Sequence, residues 1–198
     1  MVQHNFGYET IGSYWGTIED IIKGGVFTCS EVGTADSITV ALCFNPAGQD
    51  WTGKLKCAIY LHSDLSRIGV TEERTITLTL AKAWYTFNFT APKPNIIAAD
   101  YVLVVWAEAK TGIPYVAQSS GTGDNQHYQS LTYNGFPNPL GPTHATQVVS
   151  IYCTYTVAGG GVTVKKGSGL AATMTEMLNS KMLFSACNRF PKLTTRRF

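Results

Sequence analysis

Charge is scarce in this sequence. Only 14% of its 198 residues are Asp, Glu, Lys or Arg, against roughly 25% in an average soluble domain. Little of the surface is therefore built for solvation alone, which suits a protein packed against neighbours. Long apolar runs are missing too. The longest, YVLVVWA at 101–107, is far shorter than the ~20 residues a bilayer-spanning helix needs, so no membrane span is expected. The opening MVQHNFGYET has neither a charged start nor an apolar stretch, which predicts synthesis without a secretion signal.

The usual marks of catalysis and metal binding are also absent. The four histidines (His4, His62, His127, His144) share no HxH or HExxH spacing, and the five cysteines (Cys29, Cys43, Cys57, Cys153, Cys187) form no CxxC. Neither a metal site nor any cofactor is expected. An odd cysteine count leaves at least one thiol unpaired and fits a reducing site of synthesis. Cys57 and Cys153 fall on the apolar parity of their strands and are expected to be buried packing thiols. No nucleophile elbow, phosphate loop or dinucleotide fingerprint occurs. Glu19–Asp20 and Glu72–Glu73 are sequence neighbours, and neighbours on a strand point to opposite faces, whereas a glycosidase needs two facing carboxyls. The chain reads as a non-enzyme. NFT at 88–90 matches the N-glycosylation pattern but falls inside a predicted strand, and reads as coincidence.

What is present is a turn-rich alternation of period two. Nineteen glycines and eight prolines separate runs whose apolar residues fall on one face. Ile38, Val40, Leu42 and Phe44 share a face, as do Leu55, Cys57, Ile59 and Leu61. The same holds for Ile76, Leu78 and Leu80, for Tyr85, Phe87 and Phe89, and for Val149, Ile151, Cys153, Tyr155 and Val157. With weaker runs at 26–31 and 113–118, about eight or nine strands are predicted. That pattern predicts an all-β protein: an antiparallel jelly-roll β-sandwich over 1–158. DYVLVVWAE at 100–108 is apolar on both faces. Its second face needs a cover from the N-terminal segment around 11–22, from the chain's tail, or from another subunit.

The end of the chain differs in charge and in period. Residues 1–158 carry eight Lys/Arg and twelve Asp/Glu, a net of −4; residues 159–198 carry seven Lys/Arg and Glu176 alone, a net of +6. An acidic body with a basic tail points to an interaction arm. A glycine-rich linker, GGGVTVKKGSG at 159–169, holds Val162 and Val164, a short run able to pair with a sheet edge, followed by Lys165 and Lys166. From 170 to 198 the arm has helical spacing at Leu170, Met174, Met177, Leu178 and Met182, with TMTE at 173–176 as a capping box. A helix this short needs a surface to bury its apolar stripe. Phe190, Leu193, Arg196, Arg197 and Phe198 follow in an extended basic end. Interrupted by a Met-rich helix, these charges suit a protein groove better than a phosphate track, so nucleic acid is disfavoured.

Loop aromatics beside polar groups offer a second reading, a carbohydrate-binding module. Its candidates are Trp51 (beside Asp50), Asp124, Asn125, His127, Tyr128 and Tyr133. The competing assignment has Trp51 and Tyr133 capping the ends of the sandwich.

Across residues 11–156, the phrases GGVFTCSEVGTADSITVAL, GKLKCAIYLHSDLS, WYTFNFTAPKP, DYVLVVWAE, HYQSLTY and SIYCTYT together resemble a recurrent jelly-roll module. It occurs in environmental archaeal and bacterial sequences, in surface-exposed and virus-associated proteins without an assigned activity. The resemblance implies the same sandwich and no chemistry of its own. The expected function is a structural subunit of a virion, capsid or decoration, whose partners are copies of itself or another coat subunit. An extracellular filament or surface-layer subunit is the further alternative.

Overall fold

A strand with alternating residues is stable only when one face is wet and the other is covered, and two sheets meet that need by facing each other. The structure, a computed structural model, describes residues 1–44, 50–121, 125–141 and 144–157. The expected linker and arm, with every residue named in them, lie outside the described residues, as does Asp124. The described residues fall in one compact unit, and all their regular structure is β.

Strands are numbered in chain order. One sheet runs β1 (Val2–Gly7), β15 (Ile151–Val157), β4 (Gly33–Phe44), β11 (Pro114–Ser120), β14 (Gln147–Val149). β8 (Ala83–Asn88) and β9 (Asn95–Ile96) also pair with β4, and β2 (Tyr14–Thr17) with β11. The other sheet runs β13 (His144–Ala145), β12 (Gln126–Ser130), β3 (Ile21–Cys29), β10 (Ala99–Ala107), β5 (Thr52–Leu61), β6 (Arg67–Val70), with β7 (Arg74–Thr77) also on β5. Every ladder between strands is antiparallel. The described residues hold fifteen strands, more than the eight or nine expected from the sequence; eight of them have six residues or more, and the other seven are shorter pieces. Four ladders nest along the chain: β1 with β15, β3 with β10, β4 with β8 and β5 with β6. Successive members of that nest alternate between the sheets.

The core lies between the sheets and follows the predicted parity. Ile38, Val40 and Leu42 meet Leu55, Cys57, Ile59, Leu103, Val105, Phe87, Ile151 and Cys153 there, each aliphatic side chain contributing about 1.5–3 kcal/mol by burial. The four described cysteines are buried and free; burial raises the Cys57 and Cys153 thiols well above the usual thiol range. One inward expectation fails. Leu80 is 57% exposed, because β7 ends at Thr77 and the chain then turns, with the Thr79 hydroxyl donating to the Ala81 carbonyl (2.9 Å).

The doubly apolar strand is β10, and it borders two cores. Tyr101, Leu103 and Val105 face the sandwich interior. Val102, Val104 and Trp106 face outward onto Ile22, Ala58 and Tyr60, under Phe136 and Leu140. The cover is therefore mainly the segment 131–141, which was not among the expected covers; of the N-terminal segment, Ile22 contributes. Polar groups pin this cover down. The Tyr60 hydroxyl donates to the Pro137 carbonyl (2.9 Å), Arg67 N–H donates to Asn138 Oδ1 (2.8 Å), and Leu140 N–H donates to the Leu65 carbonyl (3.0 Å). Asp20 holds the other end: its carbonyl accepts from Leu131 N–H (2.9 Å) and its carboxylate from Tyr133 N–H (2.8 Å). Asp20 has φ 48, a left-handed conformation that Asp tolerates better than most residues.

Candidate functional site

The residues proposed as a glycan platform do not converge. Trp51 is fully buried in the main core, so both faces of its indole are covered. His127 is also buried, edge-on to His62 with ring centroids 6.0 Å apart. Tyr128, next to it on β12, is 38% exposed. Asn125 is exposed, and its carbonyl accepts from Val26 N–H (2.9 Å). Tyr133 sits elsewhere, over Trp106 with centroids 5.2 Å apart. Trp51 and Tyr133 thus serve packing. The adjacent carboxylates Glu72 and Glu73 lie in the link between β6 and β7 and take different partners: Glu72 accepts from Asn88 N–H and its side-chain amide (3.1 and 3.0 Å), while Glu73 joins the lysines of β5. Among the described residues no three His, Cys, Asp or Glu side chains stand together as a metal site.

A dense electrostatic cluster surrounds Lys56. Its ammonium lies 4.4 Å from the Tyr133 ring centre, 5.7 Å from Trp106 and 5.8 Å from Phe136. It donates to the Asn134 carbonyl and lies 3.7 Å from Glu73. Three aromatic faces around one ammonium make a cation–π cage, but here the protein's own lysine fills it. Desolvation lowers the Lys56 pKa against the pull of Glu73. Lys54, 2.9 Å from Glu73, holds that carboxyl below the usual range, helped by the Tyr133 hydroxyl donating at 3.0 Å. Burial, and then Glu73, raise the Tyr133 phenol well above its ordinary value. The cluster locks 131–141 onto β5.

A different place is open. Where β2 and β14 flank the end of β11, a cleft of about 590 Å³ is lined by Ser13, Tyr14, Trp15, Gln118, Ser120, Gly121, Thr146 and Gln147. Tyr14 and Trp15 are 56% and 53% exposed. Two glycines let the chain come this close. A Cβ at Gly12 would stand 2.2 Å from the Gln118 carbonyl group, and one at Gly16 2.6 Å from both Gln118 Oε1 and Lys23 Nζ. Gln118 itself is fixed. Its Oε1 accepts from Gln126 Nε2 (3.1 Å) and its Nε2 donates to the Trp15 carbonyl (3.4 Å). Lys82 braces the outside, donating to the carbonyls of Gly12 (2.5 Å) and Tyr14 (3.3 Å), 5.3 Å from the Trp15 ring centre. Lys23, half-buried behind Gly16, has its pKa lowered by desolvation.

No family model matches this chain, and no curated protein matches it. The cleft residues escaped the sequence reading. The one local signal was SYWG at 13–16, two adjacent aromatics that fit no alternation; Gln118 and Gln147 meet there only through the pairing of β11 with β14.

Proposed function

We propose that this protein is a non-enzymatic structural subunit of a multi-subunit assembly, most specifically a virion coat or decoration protein. Its body is a jelly roll, and its C-terminal arm docks on neighbouring subunits. The observation that carries the reading is the nest of ladders. Its eight strands, counted in chain order, pair first with eighth, second with seventh, third with sixth and fourth with fifth, alternating between sheets. A long hairpin rolled into a two-sheet sandwich has this connectivity, and coat proteins are prominent users of it. The charge split adds support, because a body of net −4 attracts the net +6 arm of a neighbour. A fold alone selects no function, so the test addresses assembly.

The full chain and the 1–158 body are compared by sedimentation velocity and negative-stain imaging, with circular dichroism as the folding control. The expected outcome is particles from the full chain and a folded, non-assembling body. A body that assembles as the full chain does, or a full chain that stays monomeric under all ionic conditions, overturns the proposal. Imaging also separates a closed shell from a filament.

A further inference from the structure

We infer that the cleft between β2, β11 and β14 binds a neutral saccharide, with Tyr14 as its stacking platform and the amides of Gln118 and Gln147 reading hydroxyls. The inference is independent of the assembly reading. A cleft of about 590 Å³ falls within the range of small-ligand sites. Its lining decides the ligand class. None of the eight described lining residues is Asp, Glu, Lys, Arg or His, so among the described residues of the cleft wall a phosphate or a carboxylated sugar meets no cation. Of the two cations beside it, Lys82 is engaged with the carbonyls of Gly12 and Tyr14, and Lys23 is half-buried behind Gly16.

An apolar peptide side chain is also poorly matched. Apart from Tyr14 and Trp15, the described wall residues offer hydroxyls, primary amides and one glycine. A sugar ring has the complementary surface, a C–H face for an aromatic platform and an edge of hydroxyls that donate and accept. Primary amides do both at once. Gln118 is pre-oriented for this work. Two of its hydrogen-bonding positions are taken by Gln126 and the Trp15 carbonyl, which leaves, among the described residues, one donor and one acceptor. A fixed amide loses little freedom on binding. The hydroxyls of Ser13, Ser120 and Thr146 around the rim extend the polar surface beyond one sugar unit. Affinity for a single unit is expected on the order of millimolar, tightening with chain length.

The full-length protein is applied to an array of neutral and acidic oligosaccharides, and the strongest soluble neutral binder is then titrated by calorimetry. Neutral glycans are expected to bind in preference to acidic ones. Tyr14→Ala is expected to weaken binding at least about 10-fold and Gln147→Ala about 5-fold, while Tyr14→Phe keeps the ring and most of the affinity. Tyr128→Ala, outside the cleft, is expected to leave binding unchanged. Melting curves confirm that each variant is folded. An array with no neutral glycan above background overturns the inference. So does binding that survives in both Tyr14→Ala and Gln147→Ala, or binding that Tyr128→Ala removes instead.

Discussion

Phe136 shows how much one side chain from an irregular segment can hold. It is 5% exposed and packs on Trp106 (centroids 5.3 Å apart) and on Tyr60 (6.5 Å). Phe136→Ala removes this contact and leaves a cavity over β10, so urea unfolding is expected to report a loss of about 3 kcal/mol. A loss below ~1 kcal/mol would mean that the cover contributes little to stability. Glu73 adds a pH dependence of known sign. Its folded-state pKa lies below the ordinary value, first because of the Lys54 hydrogen bond. Its contribution is therefore present above about pH 4.3 and fades as pH falls through the lowered value. Glu73 is partly exposed, so solvent screening keeps the effect under about 1 kcal/mol. Glu73→Gln is expected to lower stability at pH 7 and to flatten the decline toward pH 3. Parallel pH profiles for variant and parent would contradict this assignment.

At the scale of elements, legibility followed burial. β4, β5, β8, β10 and β15 each carry apolar side chains into the main core at every second position, and period two finds such strands. β1 escaped because Phe6 alone among its residues is buried, and an edge strand with one inward anchor has no alternation to read. β2 escaped for a related reason, with Gly16 as its one buried position. The cover at 131–141 was missed because Leu131, Tyr133, Phe136 and Leu140 are spread among Gly, Pro and Asn without a period. β2 is held by close backbone approach, which makes it sensitive to a single methyl group. Gly12→Ala sets a Cβ 2.2 Å from the Gln118 carbonyl group. The segment must then lift from β11, and amide hydrogen exchange is expected to quicken across 12–17 while β3 and β10 stay protected. Unchanged exchange in that segment would show that the contact relaxes without cost.

For the whole molecule, the apolarity of DYVLVVWAE on both faces correctly announced a third layer, though not its source. The answer came from the chain itself: β10 is interior to both cores, so the sheet it belongs to is covered on both sides near its centre. Candidate site residues were less legible than the fold. Aromatics in turn-rich stretches were the available sequence signal, and the structure uses Trp51 and Tyr133 of that set for packing. The open aromatics, Tyr14 and Trp15, sit at an edge, and their polar neighbours come from two strands far along the chain. Such a site is written in strand pairing, which no local window contains.

That pairing also sets how the body responds to force. Val2 lies opposite Val157 and Gly7 opposite Tyr152, so the outer ends of β1 and β15 meet at one corner. Tension between those two ends does not shear the ladder, in which all bonds would share the load. It opens the seam from the Val2–Val157 pair inward, one bond at a time, while β15 stays backed by β4. Mechanically, β1 is a zipper tab: the body yields first, and at low load, along the seam that joins its two ends.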